Sequence, residues 1–227
     1  MKAREGDLIE IGTGLIFDVK GLVHPPTKLI AFPRFIPAAS GNRKNKYSTY
    51  RKIYSLSQRF EFLERQFPHY VVNDRVFDEK LCEVPVDAVK EHYKPTEKLR
   101  ELRSSKGLDK LENMALQLTK LLKGMANIPW NAIGISGSIV VGLHTPSSDV
   151  DPIVYGSENC RRVYSALKNL SNDKHKPFKH YTQKDLRALF DFRSKDTIMC
   201  YEDFVRSESR KVLQGKFLQK DCFIRFV

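Results

Sequence analysis

The chain has 227 residues, of which 41% are hydrophobic and 29% charged. This composition is typical of a globular protein with one large domain or two small ones. No stretch approaches the roughly 18 apolar residues of a membrane span, and no apolar segment follows the N-terminus as in a secretory signal. Lys and Arg exceed Asp and Glu by 39 − 27 = 12, which favours polyanionic partners such as nucleic acid. The four cysteines form no C-x-x-C pair, so we expect reduced thiols in a cytoplasmic protein, and not a zinc site.

Residues 1–94 are predicted to form a smaller N-terminal region that contains strands. Short apolar runs predict strands, and Gly12-Thr-Gly14 predicts a hairpin turn between the first two. Two helices are also expected here, the first with Ser57 as its N-cap. The predicted strands are 8–11, 15–19, 29–32 and 70–72, and the predicted helices are 57–67 and 85–93.

Two basic segments, 43–52 and 174–181, interleave Lys and Arg with aromatic residues. Aromatic rings stack on bases and cations hold phosphates, so both segments are candidates for contact with nucleic acid. The alternative is that each is a solvated part of the surface. These two interpretations remain open at the level of the sequence.

Residues 95–227 are predicted to form a second region, whose long amphipathic helix is followed by two short apolar strands. The chain ends on an apolar strand without a polar tail, so we expect this region to be truncated at its C-terminus. The predicted helices are 108–125, 158–170, 182–192 and 201–209, and the predicted strands are 132–135, 151–155 and 220–227.

The segment from Gly137-Ser138 to Ser148-Asp-Val-Asp151 is the most informative part of the sequence. Asp149 and Asp151 are separated by one residue, so on a strand both carboxylates point to one side while Val150 turns into the core. Carboxylates, together with waters and substrate phosphates, are the ligands that Mg²⁺ prefers, and two such ions suit phosphate chemistry. Gly137 lets the backbone approach a phosphate, and the Ser138 hydroxyl with the following amides would complete an anion site at a helix N-terminus. The alternative is that these Ser and Asp residues only cap turns.

The pattern G-S-x-x-x-G, followed by S-D-x-D and an apolar strand, resembles the DNA polymerase beta-type nucleotidyltransferase superfamily. Most of the chain also resembles archaeal proteins described as nucleotidyltransferase-domain proteins. The resemblance implies an α+β fold, with a small mixed sheet and flanking helices. It also implies transfer of a nucleoside monophosphate from an NTP, with ATP expected, to an acceptor hydroxyl, with release of pyrophosphate. By resemblance, Asp149 and Asp151 hold two Mg²⁺ ions, with Mn²⁺ as an alternative, and Gly137, Ser138 and Ser148 bind the nucleotide.

Members of this superfamily usually carry a third carboxylate on a neighbouring strand. Asp221, at the start of the last predicted strand, is our candidate, and Glu202 and Asp203 are weaker ones. Pro152 departs from the family pattern and, because it lacks an amide donor, predicts an unpaired or edge start for its strand. Nucleic acid is favoured as the acceptor class, and protein and small-molecule acceptors stay open as alternatives. The alternative function is a catalytically inactive domain that binds nucleic acid or acts as a regulatory partner protein.

Overall fold

The computed structural model describes residues 1–170, 177–194 and 198–227. Helices alternate with mostly antiparallel sheets, so the predicted α+β class is confirmed. The chain divides into two compact units, Met1–Pro95 with Ser138–Thr145, and Thr96–Gly137 with Pro146–Val227. No helix within the described ranges has the length and apolar character needed to cross a membrane.

The first unit is built around a large sheet with one covering helix. Its strands pair in the order β4-β5-β3-β2-β1-β8, and β7 joins β3 to β6. A buried cluster that includes Phe17, Ala31, Leu63 and Val84 forms the main core. The elements are β1 (Leu8–Ile11), β2 (Ile16–Val19), β3 (Lys28–Pro37), β4 (Arg43–Lys44), β5 (Thr49–Lys52), α1 (Leu56–Gln66), β6 (Val71–Asp74), β7 (Glu79–Pro85) and β8 (Val89–Tyr93).

Residues 138–145, which follow Gly137 in the chain, also belong to this unit. Val140, Val141 and Leu143 join a second buried cluster with residues of β1, β2, β3 and β5. The Arg43 guanidinium fixes the backbone of this segment by donating to the Leu143 carbonyl at 2.8 Å.

The hairpin predicted around Gly12-Thr-Gly14 is confirmed, because β1 and β2 pair antiparallel across it. Two predictions in this unit are wrong. Helix α1 is capped by Ser55, whose side chain accepts from the Gln58 amide, and not by Ser57. The predicted helix 85–93 is a 3₁₀ turn followed by β8, because this segment pairs with β1 and the Tyr93 hydroxyl donates to Glu10 at 2.6 Å.

The second unit carries two small sheets and most of the helices of the described chain. Strands β14-β10-β9 form a mixed sheet, since β10 runs parallel to β14 and antiparallel to β9, and β11-β12-β13 form an antiparallel one. The elements are α2 (Pro95–Ser104), α3 (Lys110–Ala126), β9 (Ile133–Ile135), β10 (Pro152–Val154), α5 (Ser157–Leu170), β11 (Phe178–Lys179), α6 (Gln183–Arg193), α7 (Tyr201–Glu208), β12 (Gln214–Phe217), β13 (Lys220–Phe223) and β14 (Arg225–Phe226). The short helix α4 (Gly137–Val140) begins at Gly137 of this unit, and its other residues belong to the first unit.

The long amphipathic helix predicted at 108–125 is confirmed as α3. Asp109 caps it and forms a capping box with Glu112, which satisfies the free amides of the first turn. Leu118 and Leu122 on its buried face are fully shielded from solvent, and the helix packs against α5 and β9.

Two details of the strands correct the sequence-based expectations. The predicted strand 220–227 is two strands, β13 and β14, which belong to different sheets on either side of the buried Ile224. Pro152 begins β10, which is the central strand of its sheet and not an edge, and Pro152 pairs with Ile135. The first position of a strand tolerates a residue without an amide donor, which explains the proline there.

Candidate active site

Backbone hydrogen bonds on both sides of Val150 hold the aspartate segment extended. The Val150 amide donates to the Asp221 carbonyl at 3.0 Å, and its carbonyl accepts from the Phe223 amide at 3.3 Å. Val150 is fully buried, so the prediction that it turns into the core is confirmed. Because side chains alternate along an extended segment, Asp149 and Asp151 lie on the side opposite Val150.

Asp221 lies on the strand beside this segment. Val150 and Cys222 form a parallel bridge, and both side chains are buried. Residues one position away from a bridged pair point to the other face, so Asp221 shares a face with Asp149 and Asp151. The structure therefore brings together the predicted metal ligands and the predicted third carboxylate.

Gly137 lies directly beneath the Asp151 carboxylate. A Cβ added at Gly137 would stand 2.2 Å from Asp151 Oδ2, and the residue has φ +66. The Asp151 carbonyl also accepts from the Ser136 amide at 2.9 Å. Only glycine supplies both this backbone conformation and this space, so the glycine is needed for the position of the carboxylate.

The charges of these aspartates raise the pKa values of two neighbouring side chains, Tyr181 and Cys222. Burial raises the pKa of the Tyr181 phenol, and the nearby Asp221 carboxylate, which accepts a hydrogen bond from the phenol, raises it further, with a smaller contribution from Asp149. Burial also raises the pKa of the Cys222 thiol, as do the charges of Asp151, Asp221 and Asp149. The site therefore has a concentrated negative potential and a tyrosine bonded to its third acid.

Tyr181 is a site residue that the sequence interpretation missed. Its only signal was membership of the basic segment 174–181, where a nucleic-acid contact was predicted. Residues 174–176 of that segment lie outside the described residues, while Phe178 is buried and packs edge-on against His180. The role of Tyr181 as a partner of Asp221 follows from the fold, because the two residues are forty positions apart.

The residues fit a divalent cation whose coordination is completed by the substrate and by water. Within the described residues, no three or more His, Cys, Asp or Glu side chains form a ready-made metal cluster. Mg²⁺ does not require one, since it is usually held by one or two carboxylates with waters and substrate phosphates. The acidic face of Asp149 and Asp151 provides that carboxylate part, and Asp221 adjoins it.

The two predicted nucleotide-binding serines are both buried. Ser138 is the second residue of α4, and its carbonyl accepts from the Leu143 amide at 2.9 Å. Helix α4 has only four residues, so its dipole is small, and an anion there would depend on individual amides and hydroxyls. The roles of Ser138 and Ser148 in nucleotide binding stay predictions.

Asp203, one of the weaker candidates for the third carboxylate, forms an ion pair with Arg206 on α7.

Two lysines fix the hairpin that carries Asp221. Lys216, which lies opposite Asp221 in the hairpin, pairs with Asp185 on α6. Lys220 donates to the Pro146 carbonyl, in the loop that leads to Ser148. These contacts connect β12 and β13 to α6 and to the loop before the aspartates.

The Asp185→Asn variant is expected to lose stability at neutral pH. Partial burial opposes ionisation, but hydrogen bonds from Lys216 and Thr182 outweigh it and hold the pKa of Asp185 at about 2. Because this pKa is below the value of about 3.9 in an unfolded chain, the contribution is present above that value and is lost as the pH falls toward 2. We expect a loss of about 1–2 kcal/mol at pH 7, measured by urea unfolding, and a smaller one near pH 3.

Asp191→Asn is the matched control, because Asp191 lies on the same helix in an exposed pair with Arg187. Such a pair contributes about 0.5 kcal/mol or less, so the control should unfold like the wild type. An equal loss for Asp185→Asn at both pH values would contradict an ionic role for Asp185.

Within the basic segment 43–52, two members are structural. Arg43 is buried and bonded to the Leu143 carbonyl, and Tyr50 is 4% exposed. Tyr47 is 78% exposed, and the charged side chains of Lys44, Lys46 and Arg51 are also exposed. The predicted contact with nucleic acid therefore depends on these exposed members alone.

Comparison with known proteins shows similarity to an uncharacterized protein of Methanocaldococcus jannaschii. The two are 30% identical over an alignment of 224 residues, which covers 95% of this chain and 65% of the relative. The chain thus spans less than two thirds of the length of that relative. No protein-family model and no solved structure matches the chain. The similarity extends through both units, and the function has to be inferred from the site.

Proposed function

We propose that the protein is a metal-dependent nucleotidyltransferase, which transfers a nucleoside monophosphate from an NTP to an acceptor hydroxyl and releases pyrophosphate. The observation that carries the proposal is the shared face of Asp149, Asp151 and Asp221, with Gly137 beneath the Asp151 carboxylate. Like charges on one face repel one another, so three neighbouring carboxylates favour a cationic ligand. The resemblance of the motif to the polymerase beta-type superfamily supports the same reaction.

In the proposed reaction, the acceptor oxygen attacks the α-phosphorus of the NTP. The new O–P bond forms as the bond from the α-phosphorus to the bridging oxygen breaks, and pyrophosphate leaves. Asp149 and Asp151 would hold Mg²⁺ or Mn²⁺, which when bound neutralises phosphate charge and acts as a Lewis acid. Asp221 takes the proton of the acceptor hydroxyl as general base.

Tyr181 positions Asp221, the general base, in this scheme. Its hydroxyl donates to the Asp221 carboxylate, and its raised pKa keeps the phenol protonated at neutral pH. A neutral donor fixes the orientation of the carboxylate without adding charge. Acceptors of the nucleic-acid class are favoured by the net charge of +12, because each phosphate contact by Lys or Arg releases counterions.

The proposal is tested by incubating the protein with ATP labelled at the α-phosphate, Mg²⁺, and oligonucleotide, protein and small-molecule acceptors. We expect label to appear on an acceptor together with released pyrophosphate, and both to require the metal. Salt-sensitive binding of oligonucleotide with no pyrophosphate release for any NTP or acceptor would instead support the alternative, an inactive binding domain.

A further inference from the structure

A buried arginine without an anionic partner lies in the first unit. Arg59 is the fourth residue of α1 and is 9% exposed. Its Nε has no hydrogen-bond acceptor, and no Asp or Glu oxygen of the described chain lies within 4.0 Å of its guanidinium. Removing a guanidinium from water is costly unless an anion or a full set of acceptors replaces the water. The buried charge of Arg59 therefore favours the binding of an anionic ligand.

The surroundings of Arg59 add positive charge. Burial lowers the pKa of Arg59, and the charge of Arg34 lowers it further, while Asp18 opposes this effect more weakly. Asp18 is itself paired with Lys20 at 2.7 Å. Helix α1 has no acidic residue in its first turn, so the positive end of its dipole is uncompensated by a side chain of that turn. Two guanidiniums near a helix N-terminus form a favourable place for a phosphate.

An exposed aromatic ring lies beside these charges. Tyr54 is 50% exposed, with Arg34 Cζ 5.7 Å and Lys52 Nζ 4.9 Å from the centre of its ring. Arg34 is held in place by donating from Nη1 to the Ile53 carbonyl at 3.2 Å. Proteins that bind single strands combine cations for the backbone with aromatic rings on which bases stack. The ring gives a reason to prefer a nucleic acid over an acidic peptide.

We propose that Arg34, Arg59 and Tyr54 form a binding site for single-stranded nucleic acid, with a phosphodiester at the two guanidiniums and a base on the tyrosine ring. This site differs from the predicted contact at 43–52, with which it shares only the neighbouring Lys52. It does not depend on nucleotidyl transfer. A variant that lacks the Asp149 and Asp151 carboxylates should keep the binding, so the two proposals can fail separately.

The test measures the affinity of the full chain for a fluorescently labelled oligouridylate by anisotropy over a series of salt concentrations. Arg59→Met is expected to lower the affinity about tenfold. It should also reduce the slope of log affinity against log salt concentration by about one, which corresponds to the loss of one phosphate contact. Tyr54→Leu is expected to lower the affinity about tenfold with an unchanged salt dependence, because it removes stacking and not charge.

Two variants serve as matched controls. Arg65→Met removes the same charge from an exposed, ion-paired position of the same helix, and Tyr164→Leu removes an exposed tyrosine ring of α5, outside both predicted contact segments. Each should change the affinity less than about twofold, which is the scale of an incidental charge effect. Equal losses for Arg59→Met and Arg65→Met, or no loss for Tyr54→Leu, would overturn the proposal.

Thermal unfolding separates binding from a structural role. Arg59→Met should melt at the same temperature as the wild type or higher, because it removes an unpaired buried charge. A lower melting temperature together with weaker binding would assign Arg59 to the fold. Because the Tyr54 ring is exposed, Tyr54→Leu should keep the melting temperature of the wild type, and its loss of binding then tests the site independently of Arg59. Displacement of the oligouridylate by polyglutamate or inorganic phosphate as effectively as by unlabelled oligouridylate would overturn the assignment to nucleic acid.

Discussion

Replacing Asp149 and Asp151 by asparagine together is expected to abolish label transfer from ATP, with a fall of at least about 1,000-fold in rate. The pair supplies the carboxylates for the metal, and loss of several kcal/mol of charge stabilisation in the transition state corresponds to a fall of this size. The assay is the transfer of α-phosphate label to the acceptor identified with the wild-type protein.

The same double variant should be as stable as the wild type or more so. The charges of all three aspartates act on Cys222, and neutralising two of them relieves repulsion among like charges. The control is Glu202→Gln with Asp203→Asn, which removes two exposed acids of α7. Transfer that survives the first pair of changes, or is lost with the second, would contradict the assignment of the site.

Gly137→Ala is expected to damage both folding and transfer. The added methyl group would stand 2.2 Å from Asp151 Oδ2, so the carboxylate has to move, and alanine at φ +66 adds backbone strain. A displacement of about 1 Å in a catalytic group costs on the order of 100-fold in rate. We expect a fall of about that size in transfer, and a loss of about 1–2 kcal/mol or more in the free energy of unfolding.

Gly142→Ala separates the effect of the steric clash with Asp151 from the effect of backbone strain. Gly142 has φ +65, nearly the same backbone conformation, but a Cβ there would meet nothing within 4 Å. This variant should lose about 1–2 kcal/mol of stability and keep most of its transfer rate. Equal rates for the two variants, measured where both are folded, would show that the position of Asp151 does not depend on the space at Gly137.

Local sequence signals predicted the parts of the fold that local structure determines. Helix α3 has an apolar stripe and an Asp109 cap, and the hairpin around Gly12-Thr-Gly14 has turn glycines, so both could be predicted. The prediction of Ser57 as the N-cap of α1 is wrong, because Ser55, two residues earlier, is of the same cap-forming residue type. The structure selects Ser55, whose side chain bonds the Gln58 amide.

Pairings distant in sequence could not be predicted in the same way. Strand β8 was expected to be helical, and its pairing with β1 joins residues about eighty positions apart. The β12–β13 hairpin turns at Leu218 and Gln219, which have φ 48 and 70. Such turns normally contain Asn or Gly, so these residues give no turn signal.

The candidate site shows the same division between local and distant information. Asp149 and Asp151 were predicted from their spacing, and Asp221 from its place at the start of a predicted strand. The position of Asp221 on the same face as Asp149 and Asp151 depends on the bridge between Val150 and Cys222, which only the fold provides. Tyr181 and the charge of Arg59 gain their significance from burial and neighbours, which the sequence does not show.

Calorimetric titration of the protein with a non-hydrolysable ATP analogue, in the presence and absence of Mn²⁺, tests the central claim most directly. The site on Asp149, Asp151 and Gly137 predicts nucleotide binding that requires the metal and disappears in the Asp149→Asn/Asp151→Asn variant while its melting temperature is maintained. Nucleotide binding of equal strength in the variant, or in the wild type without metal, would contradict it.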